Sequence, residues 1–160
     1  MNEQGNLRPL YIFDLDGTVA LINHRRDILA EKDDKLRWRR FYAACDKDTP
    51  NAPIIAVMKA LAITGAEIRF FSGRSSEVRN KTISWLAEHT PFMTHEIDDM
   101  LTMRDEGDHT PDDVLKKQWL DALHYDDRNR IVCIFDDRDR VVKMWRDAGL
   151  TCLQVAPGDF

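Results

Sequence analysis

The sequence predicts an α/β protein of three layers, in which a central parallel sheet of five strands is covered by helices on both faces. Two observations support this fold. Short apolar runs typical of buried strands alternate along the chain with longer segments whose apolar residues recur every three or four positions, as in amphipathic helices. This alternation is typical of parallel sheets, because the crossover between parallel strands usually contains a helix. The length of 160 residues fits a single domain, residues 1–160.

The predicted elements follow one another in a regular order. Strands are predicted where aliphatic and aromatic residues cluster, at residues 10–13, 68–71, 100–103, 131–135 and 152–155. Crossover helices are predicted at residues 54–62, 77–87, 112–123 and 138–147. Gly65 and Gly149 support two of the helix ends, since glycine is common where a helix stops and turns back into a strand.

One segment, residues 22–50, breaks this alternation between the first strand and the first crossover helix. It is rich in charge and carries Trp38, Phe41 and Tyr42 at helical spacing. In open α/β sheets, ligands bind beyond the carboxyl ends of the strands. An insert that leaves the first strand there would stand over the ligand, so we expect this segment to form a small helical cap.

Composition and charge exclude several classes of protein. Hydrophobic residues make up 43% of the chain and charged residues 32%, and no apolar run is long enough to cross a membrane. The first residues lack the pattern of a signal peptide, so a cytoplasmic protein is expected. The net charge of −5 argues against a dominant basic surface for duplex nucleic acid, although a local basic groove is compatible with it. Cys45, Cys133 and Cys152 are widely spaced, which favours buried free thiols over a metal site or a disulfide.

Charged and polar residues collect at the carboxyl ends of the predicted strands. Asp14 and Asp16 follow the first strand two positions apart, which points both carboxylates the same way in an extended chain. The segment Ser72-Gly73-Arg74 follows the second strand, Lys116 lies on the helix after the third, and Asp136-Asp137 follows the fourth. Carboxylates, a hydroxyl and cationic side chains brought together in this way suit a hard divalent cation and a phosphate ester.

The order of these groups, Asp-x-Asp-Gly-Thr, then Ser, then Lys, then Asp-Asp, resembles the haloacid dehalogenase superfamily of phosphotransferases, and it implies a Rossmann-like fold of the haloacid dehalogenase type. A more specific resemblance, to the 3′-phosphatase domain of phage-type polynucleotide kinase-phosphatases, is carried by residues 72–74, 107–108, 112–116, 136–138 and 154–160. This likeness covers nearly the whole chain from Leu10 onward and is weakest in the cap. No Gly-x-x-x-x-Gly-Lys-Ser/Thr motif of a kinase occurs, so no kinase domain is expected in this chain.

The resemblance implies the chemistry of the paired acids. Asp14 is expected to be the nucleophile that forms an aspartyl-phosphate. Asp16 is expected to protonate the leaving alkoxide and then to activate water, a role that favours a raised pKa. Thr18 is expected either to bind substrate or simply to cap the turn.

The resemblance also implies how phosphate and metal are held. Ser72 and Lys116 are expected to be catalytic, each contacting a phosphate oxygen, with Lys117 as the alternative to Lys116. Mg²⁺ is expected as the cofactor, because a small hard cation prefers oxygen ligands. Its expected ligands are Asp14, Asp16 through the backbone carbonyl, Asp136 and Asp137.

Arginines complete the predicted site. Substrate binding is expected from Gly73 and Arg74, because an arginine next to the phosphate-binding serine can donate two parallel hydrogen bonds. The resemblance implies a second arginine shortly after the first motif, and Arg25 is preferred over its neighbours His24 and Arg26.

These expectations define a leading function and an alternative. The leading function is that of a Mg²⁺-dependent phosphomonoesterase acting on 3′-phosphate ends of polynucleotides, or on 3′-nucleotides, in DNA or RNA repair. The alternative is a nucleoside 5′-monophosphatase or another small-molecule phosphatase of the same fold. Trp38, which lies among arginines, can stack on a nucleobase, although packing on the core is favoured. The expected partner is a phosphorylated nucleotide or a single-stranded 3′ end, with no membrane, and the oligomeric state stays open.

Overall fold

The fold is seen in a computed structural model that describes residues 7–159, so residues 1–6 and Phe160 of the predicted domain lie outside the described part. The strands in these residues are β1 Leu10–Phe13, β2 Ala20–Leu21, β3 Thr49–Pro50, β4 Glu67–Ser75, β5 Leu101–Arg104, β6 Ile131–Asp136 and β7 Cys152–Gln154. Five of them form one parallel sheet in the order β5-β4-β1-β6-β7, and β2 pairs with β3 in an antiparallel ribbon. The predicted five-stranded parallel sheet is confirmed.

The α-helices within the described residues are α1 Arg26–Ala30, α2 Arg37–Ala43, α3 Ala52–Ile63, α4 Arg79–His89, α5 Thr94–Met100, α6 Asp112–Ala122, α7 Tyr125–Asn129 and α8 Asp139–Asp147. The four predicted crossover helices correspond to α3, α4, α6 and α8. The sequence does not predict α5 and α7, because α5 buries only Ile97 and α7 buries no residue, so neither has a periodic apolar face. Of the helices described here, none combines the length and the apolar character needed to cross a membrane.

The sheet is buried on both faces, because each strand turns alternate side chains to opposite sides. On one face, Phe13 and Phe70 pack in a cluster with residues of α3, α4 and α5. On the other face, Ile12 and Phe71 pack with residues of α6 and α8, where Trp145 is fully buried. Helices therefore form an outer layer on each side, and the predicted three-layer α/β/α architecture is confirmed. The three cysteines are free and buried, as predicted.

The segment predicted as a cap, residues 22–50, contains the short helices α1 and α2. The ribbon of β2 and β3 joins the two ends of this segment, with Ala20 opposite Pro50. Strands of two residues have no readable periodicity, which is why the sequence does not predict this ribbon. The ribbon brings the chain back to the sheet beside the point at which it left β1.

The carboxyl ends of β1, β4 and β6 meet at one edge of the sheet, because these strands are parallel neighbours. β1 and β6 are in register at Phe13 and Phe135, so Asp14 lies next to the end of β6. β4 continues to Ser75, so the predicted segment 72–74 lies within the strand rather than after it. The pairing of β4 with β5 is irregular at this segment, as in a β-bulge, and a bulge re-aims the side chains that it carries.

Candidate active site

A cavity of about 580 Å³ opens at this edge of the sheet, bounded by the cap segment and the strand ends. The predicted site residues that line it are Asp14, Asp16, Gly73, Lys116, Asp136 and Asp137. The predicted site residues that are almost completely buried and do not line it are Thr18, Arg25, Ser72 and Arg74. The site therefore consists of a layer that a ligand can reach and a buried layer behind it.

The first part of the site is an acid cluster made of Asp14, Asp136, Asp137 and Lys116. The three carboxylates each place an oxygen within 4.8 Å of the others. The Lys116 ammonium group donates hydrogen bonds to Asp14 Oδ1 at 2.7 Å and to Asp136 Oδ2 at 2.8 Å. All four residues are buried, so a single ammonium group offsets three carboxylates in a poorly solvated space.

Burial and mutual repulsion make two of these carboxylates hard to ionise. Burial raises the pKa of Asp14 well above its usual value, and the neighbouring carboxylates add to the rise against the opposing charge of Lys116. Burial, followed by repulsion from Asp136, raises the pKa of Asp137 to about 7. The Oδ2 atom of Asp137 is buried without a hydrogen-bond partner. An unpaired carboxylate oxygen and an excess of negative charge fit a divalent cation at this cluster.

Asp136 anchors the lysine of the cluster. Its Oδ1 accepts a hydrogen bond from the backbone N–H of Asp137 at 3.0 Å, and its Oδ2 accepts from Trp145 Nε1 at 3.3 Å as well as from Lys116. Both oxygens of Asp136 are thus engaged within the protein. The carboxylate holds Lys116 in position between Asp136 and Asp14.

The structure distinguishes the two candidate lysines on α6. Burial lowers the pKa of Lys116, but attraction to Asp136 and Asp14 outweighs burial and raises the pKa overall, so this lysine stays charged. Lys117 lies on the solvent side of the helix and pairs with Asp121 at 2.5 Å. Lys116 is therefore the lysine in the site.

The second part of the site is an arginine cluster made of Asp16, Asp48, Arg25 and Arg74. Asp16 Oδ1 accepts hydrogen bonds from Arg25 Nη2 at 2.6 Å and from Arg74 Nε at 2.8 Å. Asp48 accepts two parallel hydrogen bonds from Arg25, at 2.7 and 2.6 Å, and one from Arg74 at 2.8 Å. Both guanidinium groups are completely buried. Two carboxylates and two guanidinium groups balance each other in charge.

The pKa of Asp16 shifts in the opposite direction from that of Asp14. Burial alone would raise it, but attraction to Arg74 and Arg25 outweighs burial and lowers the pKa below its usual value. The expectation of a raised pKa for Asp16 is wrong for this arrangement, because the sequence does not reveal that two arginines lie against the carboxylate. The two arginines thus favour the ionised form of Asp16.

Asp48 is a residue of the site that no motif in the sequence indicates. This residue lies just before β3, in a charged stretch without a recognisable motif. Its carboxylate also contacts His24 Nε2 at 2.7 Å, and its backbone carbonyl accepts a hydrogen bond from Trp85 Nε1 at 2.9 Å. The signal that could have found it is its position at the end of the cap segment, where the chain returns to the strand ends.

Arg25 and Arg74 contact carboxylates and do not line the cavity, so direct contact with substrate stays a prediction for both. Charge balance explains these contacts, since a buried guanidinium group requires an acidic partner. Among the three neighbouring candidates, Arg25 is the residue that reaches Asp16. His24 reaches Asp48 only from the edge of the cluster, and Arg26 is exposed.

Two glycines allow the backbone to come close to carboxylates. Gly17 has a φ angle of +87°, and a Cβ at this position would lie 2.0 Å from Asp137 Oδ2. At Gly73, which lines the cavity, a Cβ would lie 2.8 Å from Asp112 Oδ1. A larger residue at either position would displace a carboxylate of the site or its wall.

Thr18 and Ser72 carry the two hydroxyl groups of the predicted site. The Oγ atom of Ser72 accepts a hydrogen bond from the backbone N–H of Arg74 at 3.2 Å, which leaves its proton for another acceptor. The Oγ1 atom of Thr18 is buried without a hydrogen-bond partner. Neither residue lines the cavity, so direct contact with a phosphate stays a prediction for both.

Arg104, at the end of β5, is a further residue of the site that the sequence does not indicate. It donates hydrogen bonds to the carbonyl oxygens of Gly73 at 2.9 Å and Thr110 at 2.6 Å, and it also binds Asp112. These bonds fix the loop after β5 to the bulge of β4. The two segments thereby form one wall of the cavity.

Three aromatic residues of α2 form the cap side of the cavity. Trp38 is 44% exposed and lines the cavity. Its ring centroid lies 6.0 Å from that of Phe41 and 5.9 Å from that of Tyr42. Trp38 belongs to neither apolar cluster of the core, so the favoured interpretation of core packing is wrong.

A family match covers nearly the whole chain. The model of the polynucleotide kinase PNKP phosphatase domain matches residues 8–160. A curated relative from Autographa californica nuclear polyhedrosis virus, named as a bifunctional polynucleotide kinase/RNA ligase, is 31% identical over 135 residues. This alignment covers 84% of the present chain and 17% of the viral relative.

Solved structures with the same fold include nucleic-acid repair proteins and phosphatases. A chain of the Pnkp1/Rnl/Hen1 RNA repair complex is 32% identical with a TM-score of 0.73, over 96% of the present chain and 44% of that chain. The class C acid phosphatase from Bacillus anthracis has a TM-score of 0.62 at 16% identity, over 98% of the present chain and 69% of the phosphatase, a likeness that shows the fold alone. The present chain therefore spans less than half the length of the repair-complex chain.

Proposed function

Because this chain belongs to the family of polynucleotide kinase PNKP phosphatase domains, and is a phosphatase of the haloacid dehalogenase superfamily, we propose that it removes the 3′-phosphate from a polynucleotide end or a 3′-nucleotide. The acid cluster is the observation that carries this proposal. A buried aspartate directly after β1, Asp14, lies beside two further carboxylates and one lysine at the wall of a cavity. Such a cluster of side chains suits covalent transfer of a phosphoryl group to a carboxylate.

Asp14 would act as the nucleophile. One of its oxygens forms a bond to phosphorus while the bond between phosphorus and the 3′ oxygen breaks, which leaves an aspartyl-phosphate and an alkoxide that takes up a proton. Lys116, whose Nζ lies 2.7 Å from Asp14 Oδ1, holds this carboxylate and can neutralise a phosphate oxygen. Water then attacks phosphorus, which releases inorganic phosphate and restores Asp14.

Asp16 would handle the proton in both halves of the reaction. The two arginines keep it ionised, which suits the second half, where it takes a proton from the attacking water. To protonate the leaving alkoxide, Asp16 must gain a proton when substrate binds, and repulsion from a phosphate dianion raises its pKa in that direction. Arg25 and Arg74 are positioning residues in this scheme, because they orient the Asp16 carboxylate and keep it ionised.

A divalent cation, which we propose is Mg²⁺, would be held by Asp14, Asp136 and Asp137, with the backbone carbonyl of Asp16 as a further ligand. The unpaired Oδ2 of Asp137 and the raised pKa values of Asp14 and Asp137 support this site. When bound, such a cation offsets the repulsion between the nucleophilic carboxylate and the phosphate.

Nucleic-acid repair is the proposed setting. The viral relative is named for polynucleotide kinase and RNA ligase activities, and the solved chain at 32% identity belongs to an RNA repair complex. The present chain spans only a part of either relative, so the proposal concerns phosphate removal alone.

Phosphate release from a set of substrates tests this proposal. The set contains DNA and RNA oligonucleotides with a 3′-phosphate, 3′- and 5′-mononucleotides and simple sugar phosphates, each assayed with Mg²⁺ and with a chelator. We expect the fastest release from 3′-phosphates, loss of activity in chelator, and no activity in an Asp14→Asn control. If 5′-mononucleotides turn over rapidly while 3′-phosphates are untouched, a small-molecule phosphatase replaces the proposed function.

A further inference from the structure

The exposed ring of Trp38 is an unusual feature of the cavity wall. Of the four tryptophans in the sequence, Trp85 and Trp145 are buried in the core, and Trp119 packs edge-on against Phe71. Trp38 instead contacts only neighbours on its own helix among the ring contacts described; it is 44% exposed and lines the cavity that holds Asp14. A large flat apolar ring exposed in a cavity has room for a flat ligand.

Two neighbours of Trp38 connect α2 to the strand ends. Tyr42, one turn away, donates a hydrogen bond from its hydroxyl to the carbonyl oxygen of Gly73 at 3.2 Å, which ties α2 to the bulge of β4. Phe41 packs under the guanidinium group of Arg25 at 4.1 Å, and Arg25 in turn contacts Asp16. Phe41 and Arg25 thus connect the surroundings of Trp38 to the Asp16 carboxylate. A ligand stacked on the ring would lie in the same cavity as Asp14 and Asp16.

Charge is distributed unevenly around the cavity. On the cap side, the cationic residues Lys35 and Arg39 line the cavity together with Trp38, and Arg39 faces Glu77 at 3.6 Å. The loop after β5 contributes the acidic residues Asp105, Glu106 and Asp108, and Arg138 and Arg140 also line the cavity. A polyanionic strand is attracted to the cationic side chains and repelled by the acidic loop.

We propose that the terminal nucleobase of a 3′-phosphorylated single strand stacks on Trp38, and that the preceding phosphate lies along Lys35 and Arg39. This inference rests on the proposed function and extends it, because it identifies the part of the leaving group that the cap recognises. It makes a strand of at least two nucleotides a better substrate than a single 3′-nucleotide. We call this stacking site on Trp38 the base seat. Stacking contacts the face of a base, which all bases share, so the base seat accepts any base.

Kinetics with and without the terminal base test this seat. The ratio of kcat/KM for a 3′-phosphorylated dinucleotide to that for the same compound with an abasic terminal residue is measured in Trp38→Leu, Trp38→Phe and wild type. We expect the ratio to fall roughly ten- to hundredfold in Trp38→Leu, as for loss of one base-aromatic stack, and to be largely kept in Trp38→Phe. Tyr125→Leu is the matched control, since Tyr125 is 74% exposed on α7 and does not line the cavity. An unchanged ratio in Trp38→Leu, or an equal loss in the leucine and phenylalanine variants, would overturn the inference.

A binding measurement separates this inference from the proposed function. In Asp14→Asn protein, the dinucleotide should quench tryptophan fluorescence, and the additional substitution Trp38→Phe should remove this quenching. If wild type does not hydrolyse the dinucleotide but quenching by Trp38 is seen, the proposed function fails and the base seat stands. If wild type hydrolyses it but neither quenching nor the kinetic ratio depends on Trp38, the base seat fails alone. Absence of both activity and quenching rejects both.

Discussion

The acid cluster and the arginine cluster lie side by side at the same strand ends, yet their charges are arranged in opposite ways. The acid cluster holds three buried carboxylates against one ammonium group, and the arginine cluster holds two carboxylates against two guanidinium groups. The pKa of Asp14 is raised in the first and the pKa of Asp16 is lowered in the second. Two aspartates separated by a single residue thus differ because of their neighbours, which the fold brings from distant parts of the chain.

The two clusters therefore differ in whether they need a further positive charge. The arginine cluster is complete within the protein, because every buried charge has a partner of opposite sign. The acid cluster is incomplete, since it lacks positive charge and leaves the Oδ2 atom of Asp137 unpaired. A divalent cation would complete the acid cluster and is not needed by the other.

Replacement of the proposed nucleophile is expected to have the largest effect on activity. Asp14→Asn should lower phosphatase activity by roughly four orders of magnitude or more, because an amide cannot form the phosphoenzyme. Steady-state phosphate release measures the loss, with Asp121→Asn as the control, since Asp121 is an exposed aspartate on α6. Substantial activity in Asp14→Asn would reject the assignment.

Loss of a charge from the arginine cluster is expected to have the largest effect on stability. Asp48→Asn should lower the free energy of unfolding by about 3–5 kcal/mol, because two buried guanidinium groups would then share one carboxylate. Activity should fall as well, since Asp16 loses its alignment. Urea unfolding measures the change, and Asp46→Asn is the control, because exposed Asp46 faces Lys81 at 3.8 Å and should contribute less than about 1 kcal/mol. An Asp48→Asn protein as stable as wild type would contradict the charge balance proposed for this cluster.

The same substitution in the two clusters should have different effects on stability. Without divalent cation, Asp14→Asn should leave the free energy of unfolding unchanged or raise it, because it removes repulsion. Asp16→Asn should lower it by roughly 2 kcal/mol, because it leaves Arg25 and Arg74 short of a partner at a position that is partly open to solvent. Paired urea titrations in chelator compare the two variants. Destabilisation of equal size in both would remove the distinction between the clusters.

A smaller effect is expected on how the free energy of unfolding depends on pH in the absence of a divalent cation. The pKa of Asp137 is about 7 in the folded protein, which is above its value in the unfolded chain. At pH values between these two pKa values, the folded protein therefore binds more protons than the unfolded chain. Stability should therefore fall by roughly 2 kcal/mol as the pH rises from about 5 to about 8, and Mg²⁺ should restore more of it at the higher pH. Unfolding curves with chelator and with Mg²⁺ measure this. Asp137→Asn should reduce the dependence and leave the part that comes from the raised pKa of Asp14, while exposed Asp147→Asn should leave the dependence unchanged. A pH dependence that is the same in Asp137→Asn and wild type would exclude Asp137 as its source.

The sheet and the acid cluster could be predicted from the sequence because both depend on local patterns. Apolar runs mark the buried strands, and parallel pairing aligns their carboxyl ends, so residues that follow β1 and end β6 must meet. Asp14, Asp136 and Asp137 therefore come together as expected, and Lys116 joins them from the buried face of α6.

The arginine cluster could not be predicted to the same extent, because it depends on the path of an insert. Asp48 returns to the site through the ribbon of β2 and β3, whose strands are too short to leave a pattern. The direction of the Asp16 pKa shift could not be predicted either, because the sequence does not show that Arg25 and Arg74 are fixed beside the Asp16 carboxylate. The exposure of Trp38 was missed for a related reason, because helical spacing alone does not say which face of α2 meets the core.

A crystal structure of the protein with Mg²⁺ and beryllium fluoride, a mimic of a transferred phosphoryl group, would show which carboxylate accepts the phosphoryl group. We expect beryllium bonded to a carboxylate oxygen of Asp14, with the metal ion at the acid cluster and the arginine cluster unchanged. Beryllium bonded to Asp16, or a metal ion within the arginine cluster, would overturn the proposed mechanism.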